Sequence, residues 1–349
     1  MKYKFLFLFV PLFGLGQIPA YYSAVNFNTT GDALKIQLTQ LITTTHTTFL
    51  PYTSDEIDTW DVLKLTDLDP DNLNNVFLIY GWDDTDQSVI NDRTRNKQLT
   101  CSSSNCFGRW NREHVYPRSL GTPNLGYEFA GSDVHNLRSA DSFVNETRSN
   151  RAFDFGSGTN SYITFGGFWY PGDEWRGDVA RIIMYMYVRY PSQCAAVRVG
   201  TGPTSYSNFG DMPNIFLEWN MQDPVSQHEI NRNNILQNIQ GNRNPFIDNP
   251  YLATLIWNGP QAVDSWNSLS INDSSIEKVI VYPSITYDYV NIANVQNQEI
   301  GYEVYNYVGQ FIKSGTTSNK INLAEYTSGM YIIKLHNQGE VKTYKVFRK

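Results

Sequence analysis

The sequence predicts an α+β domain followed by a small all-β sandwich, and three observations carry that expectation. Residues 30–260 show helical periodicity broken by loops, residues 277–349 fall into short runs rich in β-branched and aromatic residues, and residues 110–150 lay out strand, loop, strand and helix in succession. With 41% hydrophobic and 14% aromatic residues in 349, there is ample apolar surface for a core, which excludes a disordered or fibrous chain.

From the N-terminus, Lys2 and Lys4 precede an apolar run from Phe5 to Leu15 that ends in Gly14-Leu15-Gly16. A basic start, a brief apolar stretch and small residues two apart describe a secretory signal over residues 1–16, cleaved near Gly16. The run is about half the ~20 residues that a membrane-spanning helix needs, and Pro11 and Gly14 interrupt it; no membrane span is expected in the mature chain. Removal of the signal takes the net charge from −7 to −9. So acidic a protein does not coat nucleic acid through bulk charge, and any such role needs a local basic patch. Export also permits disulfides. Cys101 and Cys106 bracket a Ser-rich turn and are a candidate pair, with Cys194 left over; pairing of either with Cys194 stays open.

Acidic residues concentrate in 55–92, where eleven face only Lys64. Asp67-x-Asp69-x-Asp71-Asn72 resembles the start of an EF-hand loop, but position 72 is not Gly and the twelfth position is Leu78 rather than Glu. A solvated acidic face is the expectation. Residues 174–190 give the clearest helix: Val179, Ile182, Ile183, Met186 and Tyr190 form its apolar stripe, and Arg181 and Arg189 lie off it, as surface charges or part of a phosphate-binding wall. The Ser-, Asn- and Asp-rich residues 262–276 read as a linker after a first domain over 17–261. Beyond it, period-two alternation in KVIVYP, IGYEVYNYVG and GMYIIKLHN indicates a small antiparallel sandwich over 277–349.

The chemistry concentrates in residues 110–150. WNREHVYPRSL places Glu113 and His114 side by side in an extended run, and SDVHNLRSADSFVNETRSN follows with Asp133, His135, Asn136, Asn145 and Arg148. The turn residues between them predict a second strand near 128–132 and then a helix carrying Asn145. Neighbours on a strand point to opposite faces, so Glu113 and His114 share a task only if a bend or an ion brings them to one cleft. A metal-free imidazole accepts a proton from water near neutral pH. A carboxylate and an amide oxygen are hard ligands that suit Mg²⁺, Mn²⁺ or Ca²⁺ better than Zn²⁺. A zinc site of Cys101, Cys106, His114 and His135 has spacings that fit no usual finger. Asn145-Glu146-Thr147 is also a glycosylation sequon, a use that would exclude Asn145 from ligation.

NREHVYPRS, DVHNL and FVNETRSNRAF, followed in order by GDVARIIMYMYVRY and LEWNMQDPVSQHEINRNNILQNIQGNRNPFID, resemble the secreted and periplasmic bacterial endonuclease I family of His-Me (ββα-metal) finger nucleases, over about residues 20–260. VYPSITYDYVNI and GMYIIKLHNQGEVKTYKVFRK resemble the C-terminal sorting domain of type IX secretion. The first resemblance implies a ββα-metal finger with His114 as general base, and with Glu113 and Asn145 holding one divalent cation, Mg²⁺ foremost. Asp133, His135 and Asn136 are read as supports that orient the hairpin and its ligands. The resemblance assigns no role to Arg118, Arg138 or Arg148, and Arg118 and Arg148 stand as candidate phosphate contacts.

Together these imply a secreted monomeric endonuclease that cuts DNA, with RNA left open, to 5′-phosphate products with weak sequence preference, exported by the type IX machinery. Activity is expected to rise as His114 loses its proton. Two other classes share parts of the pattern: a secreted aromatic-rich glycan-binding module without catalysis, and a phosphodiesterase of small substrates.

Overall fold

The stripe of Val179, Ile182, Ile183 and Met186 becomes the axis around which the first part of the chain packs. The computed structural model describes residues 18–102, 104–266, 280–293, 299–337 and 340–349; the expected signal and residues 267–276 of the expected linker lie outside them. The chain divides into two compact units, Met1–Trp266 and Asn267–Lys349. In chain order the first contains helices α1 (Gly31–Thr45) and α2 (Thr59–Thr66), then strands β1 (Asn75–Phe77), β2 (Thr94–Asn96), β3 (Trp110–His114) and β4 (Leu137–Asp141). Helix α3 (Ser142–Arg148) and the short strands β5 (Tyr162–Ile163) and β6 (Trp169–Tyr170) follow. Helices α4 (Arg176–Arg189), α5 (Asn214–Gln222), α6 (Gln227–Gln240), α7 (Pro245–Asp248) and α8 (Tyr251–Trp257) complete it.

Helix α4 is buried on nearly every side and packs against α1, α5 and α7. A helix enclosed all round must satisfy its polar side chains internally, and that is the fate of Arg181. It is neither a surface charge nor a phosphate contact: its guanidinium is fully buried and reaches both oxygens of Glu229 at 2.6 and 2.8 Å. Arg189 lies against the Tyr190 ring and reaches Thr43.

The expected solvated acidic face holds for Asp55, Glu56, Asp61, Asp71, Asp84 and Asp86, which are exposed, and is corrected at Asp58, Asp67 and Asp69, which are buried. Asp67 is fully buried, with its carboxylate 2.6 Å from Arg232 and 3.1 Å from Arg138, while Asp58 caps α2 by accepting from the Trp60 N–H at 2.7 Å. Asp67 reads as a surface residue because its cationic partners are distant in sequence.

The hairpin differs from expectation in its second strand. Residues 128–132 hold a 3₁₀ turn, Phe129–Gly131, and the strand paired antiparallel to β3 is β4, with Glu113 opposite Arg138 and His114 opposite Leu137. Every residue of β4 is buried, so no polar–apolar alternation marks it. Asp141 ends the strand and starts α3, accepting from the N–H groups of Phe143 at 2.8 Å and Val144 at 3.0 Å.

The first unit runs past the expected boundary at 261. Trp266 is buried with its ring 4.8 Å from Tyr22 and 5.3 Å from Phe27, and the Val263 carbonyl accepts from the Tyr251 N–H. Ala262 and Trp266, both buried, anchor this strap, while Val263 between them is exposed.

The second unit has two sheets. Strands β7 (Ile280–Tyr282), β9 (Tyr289–Ala293) and β12 (Lys320–Asn322) form one in the order β12-β9-β7. Strands β8 (Ile285–Thr286), β10 (Ile300–Asn306), β11 (Phe311–Thr317), β13 (Gly329–Asn337) and β14 (Glu340–Arg348) form the other in the order β11-β10-β13-β14-β8. Val290, Ile292 and Ile321 from the first meet Val304, Ile333 and Leu335 from the second, as alternating inward residues of a sandwich do. The pairing is antiparallel except at one edge, where β8 lies parallel to β14. Among the described residues no helix is long and apolar enough to cross a membrane.

Candidate active site

The functional side chains come from β3, α3 and the turns beside them. Glu113, His114 and Asn145 line one open cleft of about 370 Å³, with Tyr52, Arg112, Arg118 and Asn124 among the other walls. Glu113 and His114 are the last two residues of β3, and both reach the cleft.

His114 is 8% exposed, and its Nε2 lies 2.8 Å from the Gly131 carbonyl oxygen. A carbonyl only accepts, so Nε2 carries the proton and Nδ1 holds the lone pair. The ring stacks on Tyr52, with centroids 5.5 Å apart. Burial, against the opposing pull of the Gly131 carbonyl and helped by the charges of Arg118 and Arg112, brings His114 down to about 3. The imidazole is therefore neutral through the physiological range.

Glu113 is 2% exposed, and its Oε1 accepts from the Tyr80 hydroxyl at 2.9 Å and faces Arg148 at 3.1 Å. Burial raises its carboxyl above the ordinary range while Arg148 and Tyr80 pull it back. Asn145 donates through Nδ2 to Asn111 Oδ1 at 2.7 Å, which commits its nitrogen and leaves Oδ1 with the free lone pairs. A buried carboxylate and an oriented amide oxygen on one polar cleft fit a hard divalent cation that keeps much of its water shell. Among the described residues no three His, Cys, Asp or Glu gather as an ion-enclosing group. Cys101 and Cys106 are joined in a disulfide and Cys194 is a buried thiol, so the zinc set has no basis.

Arg148, expected beside Arg118 as a phosphate contact, is fully buried. It donates to the carbonyls of His114 at 3.1 Å and Val115 at 2.8 Å and pairs with Glu113. Those contacts tie α3 to the end of β3, and burial keeps the guanidinium, its unpartnered Nε included, away from a substrate. Arg118 is half-buried on the cleft wall, with its guanidinium 3.9 Å from the Tyr127 ring centre.

Asn136 grips the chain just after His114, accepting from the Tyr116 N–H at 2.7 Å and donating to the Tyr116 carbonyl at 3.1 Å. Asp133 caps the following turn through the His135 N–H and accepts from the hydroxyls of Tyr185 at 2.7 Å and Tyr190 at 3.0 Å. Burial opposes its charge, but His46 and His135 and these donors hold the carboxyl below its ordinary range. His135 lies 3.3 Å from the Asn242 carbonyl, and burial lowers it to about 4.

Sequence reading passed over Gly131, Tyr80, Asn111 and Tyr52. Gly131 carries the sharpest constraint: a Cβ there would lie 2.2 Å from the Gly126 oxygen and 2.8 Å from that of Leu125, both backbone atoms that cannot swing aside. Gly131→Ala is expected to displace the carbonyl that fixes His114, lowering nicking activity at least ten-fold. Overpacking adds a cost of about 1–3 kcal/mol. Parallel thermal melts and plasmid nicking check it, and a variant as active as the parent would remove Gly131 from this role.

Residues 30–251 match the Endonuclease I family, and residues 280–349 match the secretion system C-terminal sorting domain. Two proteins named extracellular ribonuclease, from Bacillus subtilis (strain 168) and Bacillus amyloliquefaciens, are each 39% identical over 241 residues. The alignments cover 65% of this chain and 75% and 74% of those proteins. The chain belongs to the Endonuclease I family, a generally divalent-metal-dependent group, and is a secreted nuclease with a type IX sorting domain.

Proposed function

We propose that this nuclease hydrolyses phosphodiester bonds within both DNA and RNA, with little sequence preference and with His114 as general base. The observation that carries the reading is the Gly131 carbonyl on His114 Nε2, which leaves Nδ1 neutral on a ring that lines the same cleft as Glu113 and Asn145. His114 takes a proton from water as its oxygen attacks phosphorus; the bond to the 3′-oxygen breaks, that oxygen takes a proton from solvent, and the new end is a 5′-phosphate. Glu113 and Asn145 Oδ1 would hold one divalent cation, Mg²⁺ in this reading, which supplies charge neutralisation at the phosphate and the leaving oxygen. Arg118 contacts a substrate phosphate, while Asp133, His135 and Asn136 position the hairpin.

Attack by water needs no 2′-hydroxyl, so DNA and RNA are cut alike, and the names of the two Bacillus relatives support RNA as a substrate. Contacts to phosphate carry little base information, hence the weak preference. Plasmid nicking and RNA cleavage are both expected to need added Mg²⁺ and to stop with EDTA. RNA products ending in a 2′,3′-cyclic phosphate, or cleavage indifferent to EDTA, would sink the mechanism.

A further inference from the structure

Two short segments pair aromatic rings with each other, and one of the pairs, Tyr52 and Tyr127, reaches the cleft. Segment 46–52 supplies Phe49 and Tyr52, and segment 127–131 supplies Tyr127 and Phe129. Tyr52 lines the cleft and lies 5.0 Å from Tyr127, whose ring lies beside Arg118; Phe49 meets Phe129 edge to face at 5.2 Å. Tyr127, Phe129 and Phe49 are 55%, 60% and 45% exposed. Phe129 also sits at a φ of 48°, a left-handed conformation in which glycine is the relaxed residue. It begins the same 3₁₀ turn whose last residue, Gly131, holds His114.

We propose that this aromatic rim seats unpaired bases of the nucleotides flanking the scissile phosphate, so that single-stranded nucleic acid is the preferred substrate. The inference rests on the nuclease reading above and names the form of its substrate. Arg118 joins the cleft to the rim, lying on the cleft wall and against Tyr127, so a strand whose phosphate lies in the cleft has rim rings within its reach. Glu128, exposed between Tyr127 and Phe129, repels phosphate there and favours base faces over backbone. In a duplex those faces are already stacked on each other, so exposed rings reward only unpaired bases.

The test uses the full chain and the variants Phe129→Gly and Phe49→Ser/Phe129→Gly. Both positions are exposed, and Gly at 129 relaxes the backbone, so the melting temperature is expected to hold. KM for a single-stranded oligonucleotide should rise about ten-fold or more, with nicking of supercoiled plasmid within two-fold of the parent. Phe129→Tyr should restore the single-strand KM. Equal loss on both substrates, or an unchanged single-strand KM, would overturn the proposal, as would light scattering that finds a dimer dissolved by Phe129→Gly. If the parent cuts neither substrate, the nuclease mechanism falls on its own. Anisotropy of a labelled single strand then tests the rim: binding weakened ten-fold in Phe129→Gly supports it, and unweakened binding overturns it.

Discussion

His114→Ala should lower phosphodiester hydrolysis about 10²–10⁴-fold, the usual contribution of a positioned general base. The chain cannot readily replace it. His135 and His228 are the other imidazoles nearest in role, but His135 is fixed on the Asn242 carbonyl and His228 faces Arg138 at 3.3 Å. Removing the ring also frees the face of Tyr52 and leaves the Gly131 carbonyl without its donor, so some stability is lost. His114→Asn separates the two effects, since its amide restores a polar side chain without a basic nitrogen. Both variants should retain affinity for a nucleic acid oligonucleotide, because the phosphate contact proposed at Arg118 and the cation holders proposed at Glu113 and Asn145 are untouched. The measurement is single-turnover cleavage beside binding anisotropy and a melt. A variant within ten-fold of the parent, at equal folded fraction, would take His114 out of the chemistry.

Much of this site was legible because its parts are close in sequence. Glu113 and His114 are adjacent, and Asn145 falls on a helix that the pattern places correctly after an extended segment. The second strand was misplaced because β4 is buried on both faces and carries Arg138, Ser139 and Asp141, residues that ordinarily mark surface. Arg148 misled for a related reason: three residues after Asn145 it shares that helix face, and only the packing of α3 on β3 turns its donors onto the His114 and Val115 carbonyls. Gly131 and Asn111 were invisible because each acts through one contact set by tertiary structure. The same holds for the buried ions, where pairing spans 165 residues between Asp67 and Arg232.

Asp67→Ala should therefore be strongly destabilising, at about 3–5 kcal/mol, the cost of stripping one partner from buried charges. Asp67 accepts from the Ser139 N–H at 2.6 Å and faces Arg232 and Arg138, so its loss leaves two buried guanidiniums short of a counterion. Arg138 keeps Asp178 at 2.7 Å; Arg232 keeps only neutral acceptors, Thr66 and the carbonyls of Val134 and Leu137, among its hydrogen bonds. For a unit of this length the melting transition should fall on the order of 10 °C, while the transition of the C-terminal sandwich stays in place. Burial opposes ionisation of Asp67, but Arg232 and Arg138 outweigh it and hold the carboxyl below its ordinary range. Its stabilisation is thus fully present above the unfolded value of about 3.9 and lost as pH falls through the lower folded value. The gap between parent and variant should be constant from neutrality to about pH 4 and narrow below it. Ser139 and Arg138 lie in β4 opposite Arg112 and Glu113, so the same carboxylate fastens the strand behind the cleft. Loss of activity in Asp67→Ala should then track the unfolded fraction and be recovered on cooling, whereas His114→Ala should stay inactive at every temperature.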